Sequence, residues 1–254
     1  MDISTIERTI LEKCAKDAGW EIDSNFKSDC INLFSSFFKE TACIQKNNVS
    51  TFVLSLSRKL DEKYLCLPVS FDSDGDYIFS LYDADMLSSL LKRAAELYVS
   101  FPDNPLEEYK KKLVEFSDTE IEKTEAERIV KERVGQDIYR NALIKYWQGA
   151  CAVTGCTVNE VLKASHAKPW KDCTSDAERL NVYNGFLLTA NLDALFDKGY
   201  ISFSDDGGIM ISSMFEFDGV DIRSLGINSD MRLRWIEEKH LEFLDYHHKN
   251  IWKN

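Results

Sequence analysis

Two carboxylates, Asp193 and Asp197, stand four residues apart in the run Ala190-Asn-Leu-Asp-Ala-Leu-Phe-Asp197. On a helix that spacing sets them on one face. Like charges so placed repel unless a proton or a cation lies between them, which points to a hard divalent ion. A neutral imidazole opposite such an ion can take a proton from water, and His166 precedes the pair at a distance that two strands and a turn can bridge.

Three elements would position these groups. The apolar residues of Val161 to Trp170 predict a first strand, with Pro169 near its end where a missing backbone donor does least harm. A polar loop, Lys171 to Tyr183, leads to a second strand at Gly185-Phe-Leu-Leu-Thr189. Asn191 can cap a short helix that stops at Gly199, a residue free to adopt the left-handed conformation. His166 then lies on the first strand, Asn184 opens the second, and both aspartates ride on the helix.

The stretch Cys151 to Phe203 resembles the HNH nucleases, whose ββα-metal motif carries a histidine on the first strand, an asparagine in the hairpin and a metal ligand on the helix. His166, Asn184 and Asp193 occupy those places, and Asp197 matches an additional helix ligand known in some members. Similarity is greatest to bacterial HNH proteins grouped with restriction endonucleases, through Ser165-His-Ala-Lys-Pro-Trp170, Asn184-Gly-Phe-Leu-Leu188 and Asp193-Ala-Leu-Phe-Asp-Lys-Gly-Tyr-Ile-Ser-Phe203. Val134-Gly-Gln-Asp-Ile-Tyr-Arg140 and Tyr146-Trp-Gln-Gly149 extend the likeness upstream, so it covers about 105 to 254.

The resemblance implies a phosphodiester hydrolase of restriction or phage-defence type acting on DNA. It implies His166 as general base, Asn184 bracing the loop, and Asp193 and Asp197 holding one divalent ion, Mg²⁺ first and Mn²⁺ second. Ser165 stands where many members have a stronger metal ligand and offers a weaker, neutral oxygen in that place. Lys168, Lys171 and Arg179 are candidate phosphate contacts. Activity would rise through about pH 6–7 as an unperturbed imidazole loses its proton. The alternatives are an HNH-fold binding module with weak catalysis, which Ser165 favours, and an RNase. Structural zinc on Cys151, Cys156 and Cys173 is not expected, because Thr189 and Leu192 stand where a second cysteine pair would be.

The whole chain fits this reading. Its 254 residues, 44% hydrophobic, suffice for one large or two modest domains. The net charge of −12 argues against a generic polycationic nucleic-acid coat. The charge is uneven: residues 131 to 171 hold seven basic and three acidic side chains, a basic surface around His166. No apolar run reaches membrane-spanning length, the N-terminal residues lack a secretory pattern, and seven cysteines without framework spacing fit reduced thiols. A cytoplasmic protein with no membrane partner is expected, whose other partners would be a second copy of the chain or another defence-system protein.

The fold class expected is α+β: an N-terminal α+β module over 1–104 that can serve target recognition, a partly helical linker over 105–124, and a nuclease domain over 125–254 that begins with a helical segment. Within the module the pattern predicts a first helix with Ile6, Ile10, Leu11 and Cys14 on one face and a second from Ser24 to Thr41. Strands are predicted at Ser50–Ser57, Tyr64–Phe71 and Tyr77–Tyr82, with Asp72–Asp76 as an ordinary hairpin turn, and a helix from Asp83 or Asp85 to Val99. Thr124 to Glu127 reads as a capping box, and Gly135 as a break between two helices. A final helix over Asp230 to Trp252 would bury Leu241, Leu244, His248 and Ile251.

Overall fold

The computed structural model describes residues 1–23, 27–65, 67–117, 125–214 and 222–253. It is an α+β protein with two compact units, Met1–Val99 and Ser100–Asn254.

In the first unit, α1 (Thr5–Asp17) starts at a capping box in which Ser4 and Glu7 exchange side-chain and backbone hydrogen bonds. Leu11 and Ala15 are its buried residues, whereas Ile6 is 75% exposed, so the buried stripe is not the predicted one. An antiparallel six-stranded sheet follows, in the order β1-β2-β3-β4-β6-β5. Its strands are β1 (Glu21–Ile22), β2 (Cys30–Phe34), β3 (Ala42–Lys46), β4 (Thr51–Leu56), β5 (Ser70–Phe71) and β6 (Tyr77–Ser80). Strand β2 replaces the helix expected over Ser24 to Thr41, of which 24–26 lie outside the described residues. Residues of β2 and β3 pair as Ile31↔Ile44 and Leu33↔Ala42, all four buried. That period-2 burial, completed across strands, outweighs a helical reading that local pattern alone allowed. The strand expected at Tyr64–Phe71 shrinks to β5 behind a 3₁₀ turn at Glu62–Tyr64, with Cys66 outside the described residues. Asp72 Oδ1 accepts from the amides of Asp74 and Asp76 in the turn before β6. Helix α2 (Ala84–Ser100) completes the unit, and Trp20 Nε1 donates to its Leu91 carbonyl.

The second unit begins with α3 (Asp103–Ser117) and α4 (Glu125–Tyr146), which pack on each other. Thr124 of the expected capping box, with the rest of 118–124, lies outside the described residues. Helix α4 runs unbroken through Gly135. An isolated glycine costs a helix only about 1 kcal/mol against alanine, and here the missing side chain makes room: a Cβ at Gly135 would run into Cη2 of Trp170. The hairpin β7 (Leu162–His166) and β8 (Gly185–Thr189) pairs Ser165 with Phe186 and His166 with Gly185. Between its strands lie a 3₁₀ turn at Trp170–Asp172 and the short α5 (Asp176–Arg179). Then come α6 (Ala190–Asp197), the hairpin β9 (Ile201–Phe203) and β10 (Ile209–Ile211), and α7 (Glu238–Asn250).

Aromatic rings fill this core. Phe186 of β8, Phe196 of α6 and Phe203 of β9 are fully buried, and Trp147 stacks on Trp235 at 4.3 Å. Helix α7 starts eight residues later than predicted, at Glu238, and buries His240, Phe243, Leu244 and His247 in place of the Leu241/His248 stripe. His240 lies flat on Phe186 and His247 on Phe196, so both histidines serve as core rings. Among the described residues no helix is long and apolar enough to cross a membrane.

Candidate active site

His166, Asp193 and Asp197 line one cleft of about 430 Å³, together with Tyr139, Lys163 and Trp170. Strand β7 alternates Ser165 inward, where it is buried, with His166 at the half-buried rim. The other side of the α6 cylinder buries Leu192 and Phe196, the latter against Phe186 of β8 and Phe203 of β9. That amphipathic split turns Asp193 and Asp197 toward the strand that carries the histidine.

The imidazole is held on three sides. Tyr139 of α4 stacks on it with centroids 3.8 Å apart, Trp170 meets it edge-on at 5.8 Å, and Nε2 lies 2.9 Å from the Arg179 carbonyl. A carbonyl only accepts, so Nε2 carries the proton and Nδ1 is the basic nitrogen of the neutral ring. Burial lowers the His166 pKa to about 4, opposed in part by that carbonyl. The ring is therefore neutral at physiological pH, which corrects the expectation of an imidazole titrating at about 6–7.

Asn184 is fully buried behind the histidine. Its Oδ1 accepts from the Lys168 amide at 2.8 Å, and its Nδ2 donates to the carbonyls of Lys168 and Glu178, both at 3.1 Å. One amide side chain thus ties the start of the 170–183 loop to its end, and the carbonyl that holds His166 follows Glu178 directly. Gly185 is required beside it: φ is +155°, and a Cβ would strike the Ser165 carbonyl and the Tyr139 hydroxyl.

The two carboxylates are poorly solvated for charged groups. Desolvation raises both pKa values, and Asp197, with the Asp193 charge adding to the effect, reaches about 6. Asp197 still meets solvent, which screens part of the repulsion. The Ser165 hydroxyl donates to Asp197 Oδ1 at a long 3.4 Å and also lowers the pKa of Asp193, so it touches both acids. Two repelling carboxylates and a hydroxyl form an all-oxygen donor set that suits a hard divalent ion. Among the described residues no group of three His, Cys, Asp or Glu side chains is close enough to hold a metal without other donors. Cys173 Sγ instead hydrogen-bonds Asn184 and the Lys168 carbonyl, and Cys151 Sγ accepts from the amides of Val153 and Thr154.

The three basic residues read from sequence fare differently. Arg179 is committed to the loop, pairing with Asp176 at 2.9 Å and donating to the carbonyls of Cys173 and Trp170. Lys168 pairs with Glu178 at 2.8 Å. Lys171 is exposed at the mouth of the adjoining cleft that His166 and Asp197 also line. Lys163, one of the seven basic residues counted around His166, lines the cleft, whereas sequence reasoning gave Tyr139 no role there. Tyr139 sits four residues past Gly135 on α4, and that one-turn spacing was the available signal that both meet the His166–Trp170 turn.

No curated protein matches the chain. One family model does, and it assigns an HNH endonuclease domain to residues 151–204, about a fifth of the chain.

Proposed function

We propose that the protein is a metal-dependent endonuclease that hydrolyses DNA phosphodiester bonds in restriction or phage defence. The observation that carries this reading is the tautomer of His166, fixed by the Arg179 carbonyl in the cleft that also holds Asp193 and Asp197. Nδ1 of His166 accepts the proton of the attacking water, and the carbonyl bonded to Nε2–H stabilises the imidazolium as it forms. Asn184 keeps the loop, and so the carbonyl, in place. Asp193 and Asp197, with Ser165 beside them, would hold one divalent ion, Mg²⁺ first and Mn²⁺ second. When bound, that ion supplies a Lewis acid for the charge building on the scissile phosphate. Lys171 offers a positive charge to the same phosphate chain.

The organisation proposed for the chain is the module over 1–104, the linker over 105–124 and the nuclease domain over 125–254. The module would select the target.

Nicking of supercoiled plasmid with and without added Mg²⁺, beside a labelled RNA of matched sequence, tests the reading. The expected result is Mg²⁺-dependent nicking of DNA that falls by roughly 10²–10⁴ in His166→Ala and is abolished in Asp193→Ala. Cleavage of RNA alone would reassign the substrate, and wild-type rates in His166→Ala would remove the base. Binding of DNA without cleavage in any metal would leave a binding module.

A further inference from the structure

A second cleft, of about 470 Å³, adjoins the one of about 430 Å³ that holds His166, Asp193 and Asp197. Ala164, His166, Trp170 and Asp197 line both, so the reactive groups stand where the two meet. From that junction the first cleft runs to Tyr139 and Arg140 of α4, and the second runs to Tyr246 and Asn250 of α7. Trp170 is the partition between them, braced by the bare backbone of Gly135 and by the Arg179 guanidinium over its ring.

Lys171 and Lys198, both exposed, are the cations of the second cleft, and Asp172 and Asp197 are its acids. The acids have other work. The Tyr246 hydroxyl donates to Asp172, and Asp197 takes the Ser165 hydroxyl and belongs to the carboxylate pair. Lys171 forms no ion pair among the described residues. The Lys198 charge favours the ionised Asp197 beside it, and a divalent ion on the acid pair would leave that lysine to the substrate. The backbone under Lys198 is pinned: Gly199 has φ +72°, a Cβ there would strike the Ile251 carbonyl, and the Gly199 carbonyl accepts from the Lys253 amide at 3.0 Å. Ile251 lines the same cleft, so the chain that ends α7 sets both this wall and the root of the lysine.

We propose that the α7 cleft seats the DNA nucleotide next to the scissile bond, with Lys171 and Lys198 holding its phosphate. The inference rests on the nuclease reading above and adds a subsite walled by α7, which lies outside residues 151–204. A phosphodiester bond inside a strand has backbone on both sides of it, and two clefts that meet at the reactive groups give room to both. Phosphate contacts of this kind position the strand without reading sequence. Their signature is electrostatic, since each neutralised phosphate releases counterions and steepens the fall of affinity with salt.

The test uses full-length protein in the His166→Ala background, so that binding is measured with cleavage suppressed. A short labelled duplex is titrated over a range of salt at one low Mg²⁺ concentration. Lys171→Gln and Lys198→Gln should each weaken binding and reduce the log K against log salt slope by about 1, and the double variant should lose about 2. Because Lys198 neighbours Asp197, the melting temperature is read as well: Mg²⁺ should raise it in the double variant as much as in the background protein. Affinity and slope equal to those of the background in the double variant would overturn the subsite. A double variant that loses its Mg²⁺ response together with its affinity would overturn it too, since the lysines would then act through the ion. Plasmid nicking by the parent separates this from the wider reading. A parent that nicks while the double variant binds normally retires the subsite alone, and a parent that neither binds nor nicks retires both.

Discussion

The phenol ring of Tyr139 lies against the imidazole of His166, centroids 3.8 Å apart and planes 19° apart, while its hydroxyl donates to the Asn184 carbonyl at 2.9 Å. Helix α4 therefore clamps the histidine and the asparagine with one side chain, although Tyr139 lies outside residues 151–204. Tyr139→Phe keeps the stack and loses the hydroxyl. The Asn184 carbonyl still accepts from the Ala167 amide, so the cost should be only about 1 kcal/mol of stability by urea denaturation. Tyr139→Ala removes the ring and should cost about 3–5 kcal/mol, with turnover falling further than DNA affinity. Equal losses in the two variants would show that the stack contributes nothing.

Some of this was legible in the sequence. Strand β8 begins and ends where Gly185 and Thr189 said it should, because an apolar run buried on both faces and bounded by a glycine has few other readings. The i,i+4 acids of α6 were equally plain. Environments were not legible. Nothing in a one-dimensional pattern says that Arg179 spends its guanidinium on loop carbonyls while its own carbonyl orients His166. The Gly135 reading failed for a related reason: propensity sees a weak helix former, whereas the cause lies in Trp170, thirty-five residues on. The helix expected over Ser24 to Thr41 went astray because strand pairing is non-local and a single window cannot register Ile31 against Ile44.

Stability should fall on acidification between about pH 6.5 and 4. Burial lowers both His166 and His247 to about 4, against about 6.5 in the unfolded chain. In that window the unfolded state binds more protons, so stability rises with pH and is fully present above about 6.5. His247 is the cleaner probe: it is buried, and its Nε2 bonds the Phe196 carbonyl. Its share is on the order of 3 kcal/mol. Urea unfolding of the Asp197→Asn variant at a series of pH values checks this, because the raised Asp197 shifts the parent's stability the opposite way over the same window, and a flat profile from 6.5 to 4 in that variant would contradict the burial assigned to both rings.

Gly135→Ala should destabilise, against the usual gain of about 1 kcal/mol for this exchange inside a helix. The added methyl must displace the Trp170 ring, whose Cζ2 would stand 3.0 Å from it. Trp170 borders His166 at 5.8 Å, so nicking should slow as well, and tryptophan fluorescence should report a more exposed indole. A variant as stable and active as the parent would mean that the ring shifts freely and does not partition the two clefts.

Asp197→Asn gives the sharpest separation of stability from function. With its pKa raised to about 6 by desolvation and by Asp193, the folded state holds the Asp197 proton more tightly than the unfolded chain does. Stability from this group is therefore lost as pH climbs from about 4 to about 6, and the penalty is complete at neutral pH. The amide removes that penalty, so without divalent ions the variant should melt above the parent at pH 7 and level with it near pH 4. Mg²⁺ should raise the melting temperature of the parent by mass action and leave that of the variant nearly unmoved, while nicking is lost. The parent should also show an acidic limb of activity near pH 6 at low Mg²⁺ that moves down as Mg²⁺ increases, because proton and ion compete for one carboxylate. A limb that ignores the ion concentration, or a variant no more stable than the parent at pH 7, would separate Asp197 from the metal site.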